Sequence, residues 1–120
     1  MLFRSWVIGG DSGGPMNDVW FSENGSEWKA ATLNAEFQAR SRASAVLYKN
    51  RIYLAGGTGK DGKELSDVWW TDDGIIWKRA AESAAFGPRA GALLAAFPDR
   101  LVIEGGNSGK EINKEGWYCR

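Results

Sequence analysis

The string Gly10-Asp11-Ser12-Gly13-Gly14-Pro15 sets a serine hydroxyl among small residues with an acid beside it, the composition of an accessible nucleophile. Attack by serine needs a base to take the hydroxyl proton and a carboxylate to orient that base, which in most such sites is histidine. The sequence contains no histidine. That absence removes at once the commonest general base near neutral pH and the commonest transition-metal ligand. The string is therefore read as a glycine-rich loop, and no catalytic residue is assigned.

The same hexapeptide is similar to the nucleophile segment of trypsin-like serine proteases, but the hydrolysis this resemblance implies would need the missing base. Gly56-Gly57-Thr58-Gly59-Lys60 has the small residues of a phosphate cradle. A phosphate loop, however, requires Gly-Lys-Ser/Thr opening a helix, and here Asp61-Gly62 follows with no helical periodicity. Its glycines are expected to permit close strand approach. One cysteine, Cys119, allows neither an internal disulfide nor a thiolate cluster, so no metal or other cofactor is expected. Fifteen basic side chains balance fifteen acidic ones, which excludes the one-signed field of a nucleic-acid binder. No apolar run approaches the roughly eighteen residues of a membrane span, and the Trp6 to Ile8 run lacks signal-peptide anatomy. The compartment stays open.

The chain repeats itself. Asp18-Val19-Trp20 recurs as Asp67-Val68-Trp69, and Asn24-Gly25 with Trp28 recurs as Asp73-Gly74 with Trp77, a spacing of 49 residues from Trp28 to Trp77. The register continues through Phe37 and Phe86, Arg40 and Arg89, Tyr48 and Phe97, and the pairs Gly56-Gly57 and Gly105-Gly106. An earlier copy of the strand before the glycine pair lies in Arg4 to Gly10. Each unit parses into four short strands. Strand one covers Ala43 to Tyr48 and Ala92 to Phe97, with the small, apolar composition expected of burial on both faces. Strand two is Arg51 to Ala55, with Arg4 to Ile8 and Arg100 to Glu104 as its copies; strand three carries Asp-Val-Trp, and strand four starts near Trp28 or Trp77. Asn24-Gly25 and Asp73-Gly74 are expected to supply the positive φ angles of a tight hairpin between strands three and four.

An antiparallel four-stranded meander at this period is the sequence form of a propeller blade, so the fold class is all-β, an incomplete β-propeller ring of about two and a half blades. The division expected is a partial blade over 1–32, a complete blade over 33–82 and a partial blade over 83–120. The glycine pairs, Arg40 and Arg89, the Asp-Val-Trp triplets and the later tryptophans together resemble the kelch-type propeller family in its bacterial form. The resemblance covers essentially the whole chain. It implies a scaffold used by binding modules, sugar-handling enzymes and copper oxidases alike. Ser22 to Trp28 and Thr71 to Trp77 also resemble a shortened Asp-box hairpin of sialidase-like propellers, where the box is a structural turn.

Repetition separates architecture from what is left over. Trp20, Trp28, Trp69 and Trp77 recur at fixed positions, as packing between blades requires, and are assigned to the core rather than to a sugar platform. Arg40 and Arg89 also recur, which favours a hydrogen-bonding fork that locks blades; kelch domains also turn such arginines toward partners, so both stay among the ligand candidates. Arg42 does not recur, because Gly91 occupies its counterpart, and Glu104 breaks the apolar pattern of Ile8 and Ala55. These two are the foremost central-site candidates. Lys60, Asp61 and Glu64 on one strand-two to strand-three loop, and Lys110 on the next, complete the set. The expected activity is recognition of a protein or glycan through this rim without catalysis; the rival is a fragment of a sugar-active propeller enzyme, or a truncated product. A homodimer completing a six-bladed ring, or further blades in a longer chain, is the expected partner.

Overall fold

The computed structural model describes residues 4–108 and 116–119. All its regular elements are strands. In chain order they are β1 (Ser5–Asp11), β2 (Pro15–Ser22), β3 (Lys29–Thr32), β4 (Arg40–Ser41), β5 (Ser44–Tyr48) and β6 (Arg51–Ala55). There follow β7 (Thr58–Gly59), β8 (Val68–Thr71), β9 (Lys78–Ala81), β10 (Leu93–Phe97), β11 (Arg100–Glu104) and β12 (Gly116–Cys119).

Three antiparallel meanders result. β5-β6-β8-β9 is a four-stranded sheet, β1-β2-β3 supplies the last three strands of a preceding unit, and β10-β11-β12 the first three of a following one. The repeat register is visible in the pairing: Leu54 faces Trp69 across β6 and β8, and Ile103 faces Trp117 across β11 and β12. The fold is an all-β, incomplete propeller.

The minor strands β4 and β7 lie outside the four strands expected of each unit, yet their pairing recurs, Ser41 with Thr58 and, 49 residues on, Ala90 with Asn107. Arg40 pairs with Met16 on one side and Gly59 on the other, and Ser41 pairs with Thr58, so a narrow ribbon stitches the first meander to the second. The glycine pairs make such stitching sterically feasible. A Cβ on Gly9 would lie 2.8 Å from the Arg40 carbonyl oxygen, and one on Gly56 would lie 2.4 Å from that of Arg89. Both glycines also sit at positive φ, so their lack of a side chain serves backbone geometry and approach together.

Between the first two meanders lies the best-packed core. Val19, Ala35, Phe37, Leu54 and Trp77 form one buried cluster, with Trp6, Ile52 and Trp69 packed against it. Phe37 meets Trp77 edge-on at 5.1 Å between ring centroids. Burying an indole of roughly 200 Å² contributes on the order of 5 kcal/mol as an upper bound, which makes Trp77 a principal contact of this interface.

Two expectations need correction. Strand one is not buried on both faces: Leu47 and Leu93 are each 62% exposed, because these strands present only alternate residues to a neighbour. Trp28 is also not core, being 39% exposed where Trp77 is 2% exposed. Among the described residues, none covers Trp28 as Phe37 covers Trp77.

The Asn-Gly and Asp-Gly steps do not form a two-residue turn. Only the glycines, Gly25 and Gly74, take positive φ. The loop is held instead by side chains. Asn24 Oδ1 accepts from the amides of Ser26 and Glu27, and Asp73 Oδ1 from those of Ile75 and Ile76. Ser22 Oγ and Thr71 Oγ1 accept from the amides of Gly25 and Gly74 at 2.7 and 2.8 Å. The two-residue turn with both φ values positive lies at Lys49-Asn50, joining β5 to β6.

Candidate functional site

Strand one begins, and strand two ends, at the same end of the second and third meanders: Ser44 pairs with Ala55, and Leu93 with Glu104. The connections into β5 and β10 and the loop after β6 therefore meet at one rim. Backbone bonds lace it together. Gly57 donates to the Arg89 carbonyl, Arg89 to the Leu65 carbonyl, and Gly91 to the Arg42 carbonyl, all within 2.9 to 3.1 Å.

Arg40 and Arg89 are built into this lacing. Arg40 is fully buried and donates through Nη1 and Nη2 to both oxygens of Asp67, at 2.6 and 2.8 Å, and through Nη1 to the Gly56 carbonyl at 2.9 Å. Asp67 accepts a further bond from the Trp69 indole at 2.8 Å. Burial pushes the Asp67 carboxyl upward, but the Arg40 and Trp69 hydrogen bonds and the Arg40 charge outweigh it, holding the group below its ordinary value. Arg89, 2% exposed, donates to the Gly105 carbonyl at 2.8 Å and to the Phe86 carbonyl. Neither guanidinium faces solvent. In the described structure both arginines serve the architecture: Arg40 donates to the Gln38 and Gly56 carbonyls and to the part-buried Asp67 carboxylate, and the Arg89 Nη groups donate to backbone carbonyls.

Arg42 is different. Its backbone is left-handed, with φ at 56°, where its repeat counterpart Gly91 has 67°. Its side chain is 56% accessible, and Nη2 donates to Thr58 Oγ1 at 3.0 Å while lying 3.7 Å from the Glu64 carboxylate. Glu64 is largely covered, at 13% accessibility, and its backbone bridges to Thr58. The structure thus brings Arg42 and Glu64 together through Thr58, a residue that sequence reasoning did not single out. Its position on the Gly-rich loop beside the glycine pair was the only available signal.

Lys60 and Asp61 are exposed on the loop after β7, where Asp61 Oδ1 accepts from the Lys63 amide at 3.0 Å and so shapes a turn. Glu104 is exposed at the end of β11, and no ion pair joins it to Arg42 among the described residues. The expectation at Lys110 lies outside the described residues. The serine string of the first hairpin is a turn, in which Asp11 Oδ1 accepts from the Gly14 amide at 2.8 Å. Among the described residues no three His, Cys, Asp or Glu side chains converge as a metal site would require.

What the rim offers chemically is a part-exposed guanidinium, steadied by a hydroxyl and a covered carboxylate, beside a mixed-charge loop. Such an arrangement can donate paired hydrogen bonds. No curated protein matches the chain. The DUF6242 beta propeller domain matches it over residues 3–109, in agreement with the three stacked meanders and the glycine-spaced rim. The chain belongs to the DUF6242 beta propeller domain family.

Proposed function

We propose that this propeller module works by binding, in the manner of kelch-type domains, and recognises a protein or glycan through the rim that carries Arg42. It has no catalysis of its own in this reading. The observation that carries it is Arg42 itself, a large charged residue in a backbone conformation that Gly91 adopts at the equivalent point. The fold needs only the backbone there, so the guanidinium is surplus to architecture. Left-handed geometry at a non-glycine residue costs roughly 1–2 kcal/mol, and residues held that way cluster at functional sites.

Thr58 and Glu64 support the same reading, because they restrict the guanidinium while leaving more than half of the side chain accessible. A pre-positioned arginine loses less freedom on binding a carboxylate or a sugar hydroxyl pair. Lys60 and Asp61 extend the polar surface with both signs of charge, which suits a neutral or mixed-charge partner. A homodimer completing a six-bladed ring, or further blades in a longer chain, would hold the rim within a closed ring.

Glycan arrays and immobilised-protein panels probed with the labelled chain and with Arg42→Glu test this reading. The expected result is a ligand whose retention falls at least tenfold in the variant while circular dichroism is unchanged. Equal retention by Arg42→Glu would remove the rim assignment, and turnover of a bound glycan by the chain would remove the binding-only reading.

A further inference from the structure

Two loops of the same build differ at one chemically decisive group. The loop after β2 runs Ser22-Glu23-Asn24-Gly25 and the loop after β8 runs Thr71-Asp72-Asp73-Gly74, so a carboxamide in the first stands where a carboxylate stands in the second. The geometry around the two groups is shared. Asn24 Oδ1 accepts from the Ser26 and Glu27 amides, both at 2.9 Å, and Asp73 Oδ1 from the Ile75 and Ile76 amides at 2.8 and 3.1 Å. The Ser22 and Thr71 hydroxyls lie 3.2 Å from these oxygens and accept from the Gly25 and Gly74 amides. Gly25 and Gly74 both have φ at 80°.

An asparagine followed by glycine can lose this difference covalently. The Gly25 amide nitrogen attacks Asn24 Cγ, a nitrogen–carbon bond forms, and the side-chain nitrogen leaves as ammonia carrying the Gly25 amide proton. Water then opens the cyclic imide at one of its two carbonyls, giving aspartate or its β-linked isomer. Glycine favours the ring closure because it has no Cβ to hinder the approach of its nitrogen. Asn24 is exposed to the water this requires, and no other asparagine in the sequence precedes a glycine.

The native loop opposes the attack. The proton of the attacking nitrogen is committed to Ser22 Oγ at 2.7 Å, and Ser22 is only 2% exposed, so water does not take its place while the loop is closed. The carboxamide oxygen is tied to the two amides that follow, and Cγ cannot swing onto Gly25 without releasing them. The products differ in fit. Aspartate keeps the acceptor in place and adds charge to the same two bonds. The β-linked isomer inserts a methylene into the backbone before Gly25, whose carbonyl accepts the Trp28 indole N–H at 3.2 Å, and so displaces that anchor.

We propose that Asn24 is a fold-gated deamidation site: Ser22 holds it unreactive in the native loop, opening of the loop releases it, and the aspartate formed re-enters the loop on the pattern of Asp73. The site is separate from the Arg42 rim, and its test is independent of that reading.

The full chain is incubated in mildly alkaline buffer with and without denaturing urea, and peptide mapping by mass spectrometry follows conversion at Asn24. Electron-transfer fragmentation separates the two products. Conversion should be at least about tenfold slower in the folded chain than in urea. Ser22→Ala, compared where its circular dichroism matches the parent, should lose most of that protection. Ser22→Thr, which supplies the hydroxyl that Thr71 supplies in the second blade, should keep it. A chain made directly as Asn24→Asp should retain the parent spectrum and melt no lower at neutral pH, since Lys29 offsets the Glu23 and Glu27 charges on the same loop. Equal rates with and without urea, a natively folded Ser22→Ala that converts no faster than the parent, or an Asn24→Asp chain that melts below it would each overturn the proposal.

Discussion

Arg40 reaches across from the connection between two blades to grip Asp67 with two hydrogen bonds of 2.6 and 2.8 Å, and both partners are largely out of water. The pair joins the entry to the second blade to its own third strand. Removing one partner leaves the other charge buried without compensation. Asp67→Asn should therefore destabilise the chain by about 3–5 kcal/mol, measured as a lower urea midpoint with an unchanged slope. A loss of less than about 1 kcal/mol would mean that Arg40 finds solvent by a route this geometry closes.

Three carboxylates are held low on folding, of which Asp99, lowered by its Arg100 hydrogen bond, is fully exposed, so acid should act mainly through Asp67 and Asp73. Asp67 is held below the ordinary value of 3.8 as described, and Asp73 is held below it by the amides of Ile75 and Ile76, with a smaller contribution from Thr71. A carboxyl depressed on folding stabilises the native state fully above its unfolded value, and that contribution is lost as pH falls through the folded one. Melting temperature should be flat from pH 7 to about 5 and should fall steeply below about 4. In Asp67→Asn the fall should be shallower. An unchanged acid limb in that variant would assign the effect elsewhere.

The glycine pairs offer a matched contrast. At Gly56 a methyl group would meet the Arg89 carbonyl oxygen at 2.4 Å, whereas at Gly62, also at positive φ, nothing lies within 4 Å. Gly62→Ala should cost about 1 kcal/mol, from backbone conformation alone. Gly56→Ala should cost roughly 3 kcal/mol or more, because it adds a backbone collision that no rotamer relieves. Equal costs from chemical denaturation would show that the blades separate to admit the methyl.

Two tryptophans at the same repeat position should differ in the same experiment. Trp77→Ala empties a core site packed by Phe37 and should cost about 3–5 kcal/mol, while Trp28→Ala at a half-exposed site should cost about 1 kcal/mol. Loss of stability should also separate by interface. Hydrogen exchange in Trp77→Ala should rise first at Leu54 and Val19, which share its cluster.

At Arg42, stability and recognition should move in opposite directions. Arg42→Gly relieves left-handed strain at the point where Gly91 already stands, and should leave stability unchanged or raise it by about 0.5 kcal/mol despite losing the Thr58 hydrogen bond. Any ligand bound by the rim should weaken at least tenfold. A variant both less stable and fully competent to bind would reverse the roles given to this residue.

The sequence alone established that one four-stranded unit recurs, because each copy must solve the same packing problem with the same residue types at the same spacing. Asp-Val-Trp, the glycine pairs and the strand-two segments all fell where the structure has them. It could also mark Arg42 as surplus, since an unrepeated charge opposite Gly91 stands out without coordinates. It could not show whether a repeated residue would be buried. Trp28 and Trp77 are equivalent in sequence, yet only Trp77 has Phe37 across from it, and burial depends on that neighbour. Lys49-Asn50 escaped for another reason: its left-handed turn is imposed by the pairing of Tyr48 with Arg51, not by glycine chemistry. The union of Arg42, Thr58 and Glu64 likewise arises only when the loop after β7 folds back beside the entry to β5. Local spacing thus determined the blade, while contacts between blades decided which tryptophan is core and which arginine remains accessible.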